Sequence, residues 1–229
     1  MKIKQRAVSD EQKLERRKAI LDAAFDLFAE SSYEAVSMAA VAKRVVLAKG
    51  TLYLYFRTKE ELFLALQAQE FQAWFDEMDG NLELLSGRDG PSRTSDVGRL
   101  ISESLTQREV MGRLIAILHT VLERNIDYEA ASHFKRMLLM RVSRTGSLVE
   151  SCLPFLKPGE GARLLLRAYA LVIGLRHLAE PAPVVREVID KQGMDMFRVE
   201  FASAFSETVK ALITGMAVSS SGGEEPAED

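Results

Sequence analysis

Between Ser37 and Leu62 the sequence SMAAVAKRVVLAKGTLYLYFRTKEEL interleaves hydroxyl, ammonium and phenol groups with apolar residues at helical spacing. Lys49, Gly50, Thr51 and Tyr53 make a small, donor-rich helix front. Such a front fits a major groove about 12 Å wide, where base edges are read by hydrogen bonds. Leu52, Tyr55 and Phe56 fall where they can anchor that helix from behind. Ser37 is a good helix N-cap, and Met38, Val41, Ala42 and Val45 follow it at the three-to-four spacing of a short supporting helix. Thr58-Lys59-Glu60-Glu61 matches a capping box, so a further helix starts there with Lys59 in its first turn. A lysine beside unpaired amide donors suits a phosphate. The expected partner is double-stranded DNA, with Ser37 and Lys59 on phosphates, Lys49, Gly50, Thr51 and Tyr53 in the groove, and Tyr55 partly at the backbone.

These residues resemble the TetR family of bacterial transcriptional regulators over Arg17 to Leu66. The carriers are R-x-x-I-L-x-A-A-x-x-L-F from Arg17 to Phe28, Tyr33, Ser37-Met38, K-G-T-L-Y-x-Y-F from Lys49 to Phe56, and K-E-E-L from Lys59 to Leu62. The resemblance implies a dimeric repressor that leaves a palindromic operator when a small molecule binds its helical body. The chain departs from the family at two points: Val46 stands where Gly is usual at the turn, and Ala48 where Ser precedes Lys-Gly. A β-branched residue at a left-handed position and a helix without a capping side chain cost about 1 kcal/mol each, so an altered turn is expected.

The supporting elements follow from composition and periodicity. At 229 residues and 47% hydrophobic, the chain can hold a small head and a larger body. The net charge of −3 hides an asymmetry: residues 1–60 hold 12 Lys and Arg against 8 Asp and Glu, whereas the rest holds 18 against 25. A basic head favours a polyanion at that end. Cys152 stands alone, which excludes an intrachain disulfide and a four-cysteine zinc site and is compatible with a reducing cytoplasm. No stretch approaches the roughly 18 apolar residues of a membrane span, so a soluble cytoplasmic protein is expected.

Ser9-Asp10-Glu11-Gln12 resembles a capping box opening a helix to about Ser31, after a mobile basic arm. Its expected buried stripe is Ile20, Leu21, Ala24, Phe25, Leu27 and Phe28. The helix opened at Thr58 runs on towards Met78, and Gly and Ser residues from Gly80 to Ser95 end it. The body then shows only helical periods: Asp96 to Leu105, Gln107 to Arg124, Asp127 to Cys152, Gly159 to Leu178, and a last helix from Val184 or Met194 to Met216. The Gly159 helix is apolar nearly all round and must be covered on two sides. With the last helix it is expected to build a homodimer. The domains are therefore a three-helix head at 9–57, an effector-binding and dimerisation body at 58–217, and a disordered tail at 218–229, in an all-α fold.

Catalytic patterns are missing from the sequence: His119, His133 and His177 have no metal-binding spacing, and there is no phosphate loop or nucleophile elbow. Neither an enzyme nor a cofactor is expected. Arg141 falls inside the apolar arc of Phe134, Met137 and Leu138, and Arg176 lies near Leu165, Tyr169 and Val172. A charge so placed snorkels out or pairs with Glu123, Asp127 or Glu180, or it meets an acidic ligand. His119, Phe134, Arg141, Tyr169 and Arg176 are the candidate ligand contacts, for an apolar molecule with an acidic end. A DNA-binding protein without an effector and a helical interaction module are the alternatives.

Overall fold

The computed structural model describes residues 2–87, 93–191 and 193–221, and every regular element among them is helical. No helix among the described residues is long and apolar enough to cross a membrane. The chain divides into two compact units, one of residues 1–69 with 117–134 and the other of 70–116 with 135–229.

In the first unit, α1 (Lys2–Glu30) begins before the expected cap at Ser9. Lys, Gln, Arg and Ala dominate residues 2–8 and are strong helix formers, so the helix runs through Ser9 where an arm was expected. Ile20, Leu21, Ala24 and Phe28 are buried as their spacing predicts, while Phe25 and Leu27 are half-buried. α2 (Met38–Arg44) is capped by Ser37, whose hydroxyl oxygen accepts from the Ala40 amide at 3.1 Å. It buries Met38, Val41 and Ala42.

The turn after α2 closes in a left-handed helix ending with Val46 in place. Val46 takes a left-handed φ of 54°. Its amide donates to the Lys43 carbonyl at 3.2 Å, and the Leu47 amide donates to that of Ala42 at 2.9 Å. Those paired bonds are the helix ending that glycine usually supplies. α3 (Lys49–Tyr53) follows, with no side-chain cap from Ala48. α4 (Lys59–Ser86) opens with half of the expected box: Thr58 accepts from the Glu61 amide at 3.1 Å, whereas the Glu61 carboxylate accepts from the Arg57 amide at 2.9 Å, one residue before the Thr58 amide of a full box. Phe63 on α4 meets Phe28 edge-on at 5.3 Å and Tyr33 at 4.9 Å, which ties α1 to α4.

The later segment of this unit contains a π turn at Leu118–Leu122, closed by the Glu123 amide on the Leu118 carbonyl at 2.9 Å. The helix expected from Gln107 to Arg124 is therefore α6 (Glu109–Ile117) plus this wider turn, which keeps Leu118 and Leu122 both buried. Asp127 then caps α7 (Tyr128–Cys152) by accepting from the Ala130 amide at 2.8 Å.

In the second unit, α10 (Phe201–Ser221) packs on α5 (Arg93–Thr106) and α8 (Glu160–Ala179). Val97, Ile101, Leu164, Val172, Phe205, Val209 and Ile213 are buried there. α7 and α8 form a close pair. Glu150 on α7 accepts from the amides of Gly159 and Gly161 at 2.8 and 2.9 Å, and Gly159 takes a φ of 87° as the N-cap of α8. A Cβ on Gly146 would stand 2.5 Å from the Ala162 nitrogen, and one on Gly161 would overlap the Gly146 carbonyl. The last helix begins later than its periodicity suggested. α9 (Pro183–Lys191) and a 3-10 turn at Asp195–Phe197 precede α10, and Gly193 bends the chain between them with a φ of 61°. α10 continues to Ser221, so the first residues of the expected tail are helical, and 222–229 lie outside the described residues.

Candidate nucleic-acid interface and buried arginines

α3 is anchored by buried Leu52 and Phe56 and exposes Lys49, Gly50, Tyr53 and Leu54. Thr51 and Tyr55 are half-buried at its margins. The Lys49 ammonium lies 5.9 Å from the centre of the Tyr53 ring, so the two long donors share one face. Leu54 belongs to this face, one turn beyond Gly50. Its four-residue offset from Gly50 is the sequence signal that places it there. The Ser37 hydroxyl oxygen is engaged by the cap, which leaves its proton to donate outward.

Lys59 is turned inward. Its ammonium lies 3.9 Å from the Tyr33 ring centre and 5.8 Å from that of Phe63, and it donates to the Tyr33 carbonyl. Burial lowers its pKa, against the pull of Glu34 and Glu60. The Tyr33 hydroxyl donates to Glu60 at 3.0 Å, and burial followed by Glu60 raises that phenol well above its ordinary range. Arg17 lies over the Phe56 ring at 5.1 Å, with its pKa lowered by burial. Arg57 is gripped by Glu61 at 2.6 Å and by Asp127. The Ala130 amide and then Arg57 hold the Asp127 carboxyl below its ordinary value.

Lys59→Ala is therefore expected to loosen the Tyr33 cluster and to weaken binding to every duplex. The slope of log affinity against log salt should fall by about one only if the ammonium leaves the Tyr33 carbonyl for a phosphate in the complex. Filter binding between about 50 and 200 mM salt measures it. An unchanged slope would leave Lys59 as a brace only.

The five candidate ligand contacts are divided between the two units. His119 is exposed in the first unit, with Nδ1 2.7 Å from Glu123, and Phe134 is buried in the same unit. Arg141, Tyr169 and Arg176 belong to the second unit. Arg141 meets Asp76 at 2.6 Å and Asp79 at 3.3 Å, not Glu123, Asp127 or Glu180. Its place on α7 was readable, but helical spacing cannot tell which helix packs opposite, and α4 supplies the carboxylates. Asp79 also accepts from Arg144 Nε at 2.9 Å and from the Thr145 hydroxyl, and Arg144 reaches Glu83 at 3.2 Å. The Arg141 Nε is buried without a hydrogen bond.

Arg176 pairs with Glu180 at 2.9 Å, lies 4.5 Å from the centre of the Phe201 ring, and leaves its own Nε without a partner. It presses on Gly112, where a Cβ would stand 2.5 Å from that Nε. The half-buried Tyr169 ring lies 6.3 Å from that of Phe71.

A short donor-bearing helix set behind a capped supporting helix, in a chain helical throughout its described residues, defines an all-α protein with a helix-turn-helix. The chain belongs to the TetR family: residues 20–66 match the model for bacterial regulatory proteins of the tetR family, and residues 68–220 match the tetracyclin repressor-like C-terminal domain. The HTH-type transcriptional repressor KstR of Rhodococcus jostii is 52% identical over 58 residues, which span 25% of this chain and only 27% of that protein. A TetR-family regulator from Mesorhizobium loti shares the fold with a TM-score of 0.53 at 16% identity, over 90% of this chain and 96% of that one. FadR from Bacillus subtilis, solved in complex with stearoyl-CoA, does so with a TM-score of 0.50 at 20% identity, over 86% and 96%.

Proposed function

We propose that this chain is a homodimeric, DNA-binding transcriptional repressor that leaves its operator when a small molecule binds the second unit. The observation that carries the reading is the exposed front of α3, where Lys49 and Tyr53 stand out from a helix held by buried Leu52 and Phe56. Residues 1–60 carry a net charge of +4, which attracts the phosphate backbone. One head offers few base contacts, and a symmetric pair reads two half-sites about one or more helical turns apart. The apolar surface for pairing lies on α8 and α10, where Leu166, Leu178 and Val218 are exposed.

The effector of this reading is an apolar molecule with an acidic end. Arg141 is a poor anchor for it, since two aspartates already hold its Nη2. Arg176 has one carboxylate, the exposed Glu180, which a ligand acid displaces more easily. The pairing of both arginines also favours a second reading, a DNA-binding protein without an effector.

The test selects duplexes from a random pool with the purified chain, then measures their binding and the sedimentation of the protein with and without stearoyl-CoA. A dimer, a steep salt dependence and release of DNA by the acyl-CoA are expected. A monomer at micromolar concentration would sink the dimer, and binding that salt does not weaken would sink the interface. DNA binding indifferent to the acyl-CoA and to a panel of apolar acids would decide for the effector-free reading.

A further inference from the structure

Val46 is the one non-glycine residue with a positive φ among the described residues. The bonds from the amides of Val46 and Leu47 impose that left-handed conformation whatever side chain stands there. A β-branched residue is among those it suits least. Strain of this kind persists where surrounding contacts offset it. Val46 is 90% exposed and has no such offset in the free protein. Glycine would hold the same turn without the strain. At the other end of α3, Leu54 is 84% exposed, one turn beyond Gly50 on the face that Lys49 and Tyr53 occupy. Two apolar side chains thus flank a donor-rich front that is itself held towards solvent.

We infer that Val46 and Leu54 read the C5-methyl groups of thymines in the major groove, so that each operator half-site carries thymine at two fixed positions. The inference rests on the DNA-binding reading above. Thymine alone among the four bases presents a methyl group in that groove, and apolar side chains are what distinguish it. The contact also accounts for an unsupported valine at the turn: its isopropyl group leaves water only when DNA is bound.

Uracil supplies the test, because it lacks the methyl group and keeps the hydrogen-bonding edge of thymine. Duplexes selected by the full-length protein are remade with uracil at each thymine in turn, and binding is measured for the wild type, Val46→Gly and Leu54→Ala. For the wild type, uracil at two positions per half-site should weaken binding about fourfold each, the effect of removing one methyl from an apolar contact. Val46→Gly should lose the sensitivity at one of these positions and Leu54→Ala at the other, with the thermal midpoint maintained in Leu54→Ala and maintained or raised in Val46→Gly. Wild-type binding indifferent to uracil overturns the inference while leaving the DNA-binding reading intact. Variants that keep both sensitivities overturn it as well. If the wild type binds no duplex in a salt-sensitive manner, the functional reading fails and this inference fails with it.

Discussion

Alanine at Gly161 should lower the unfolding free energy by about 3 kcal/mol, the upper range for forcing atoms into a packed interior. The added methyl would overlap the Gly146 carbonyl, which is backbone and cannot swing aside. Relief requires α7 and α8 to separate, which loosens buried Val149 on one helix and Leu164 and Leu165 on the other. Gly174 on the same α8 is the control, because a Cβ there meets nothing within 4 Å. Gly174→Ala should be neutral or stabilise by up to about 1 kcal/mol through helix propensity alone. Urea midpoints of the two variants decide it. Equal shifts would mean that the helix crossing is not the constraint.

Asp79→Ala should have a comparable effect, again about 3 kcal/mol, by removing the buried carboxylate beside half-buried Arg141 and the acceptor for Thr145 and Arg144. The Asp79 side chain is only 6% exposed, so water does not replace it. Asp76, at 70% exposed, binds the same guanidinium from the solvent side. Its replacement by alanine should cost under about 1 kcal/mol, as for surface pairs. If the two substitutions proved equally mild, Arg141 would be reaching solvent, and its availability to an acidic ligand would rise accordingly.

Much of the head was legible because its signals are local. Ser37 and Thr58 cap helices through bonds spanning three residues, and the buried positions of α2 and α3 follow from spacing alone. Lys59 shows where locality ends. The capping box placed it in the first turn of α4, but Tyr33, 26 residues earlier, determines where its ammonium goes. In the second unit, helix existence was legible and helix pairing was not. No periodicity in α7 reveals that Asp76 and Asp79 face Arg141, or that Gly146 faces Gly161. The strained Val46 was legible as a departure from a pattern, whereas its exposure belongs to the folded chain.

The first unit is assembled from two stretches of sequence, and this matters as the chain leaves the ribosome. Arg57 and its partner Asp127 are 70 residues apart, so at about 5–20 residues per second the helix-turn-helix waits roughly 4–14 s for that carboxylate. Throughout that interval the arginine is held by Glu61 alone. The same discontinuity bears on grafting. A head moved onto a relative's body by a cut after residue 69 leaves residues 117–134 behind and inherits whatever charge that relative carries opposite Arg57. Recombination that preserves the coupling has to exchange both stretches together.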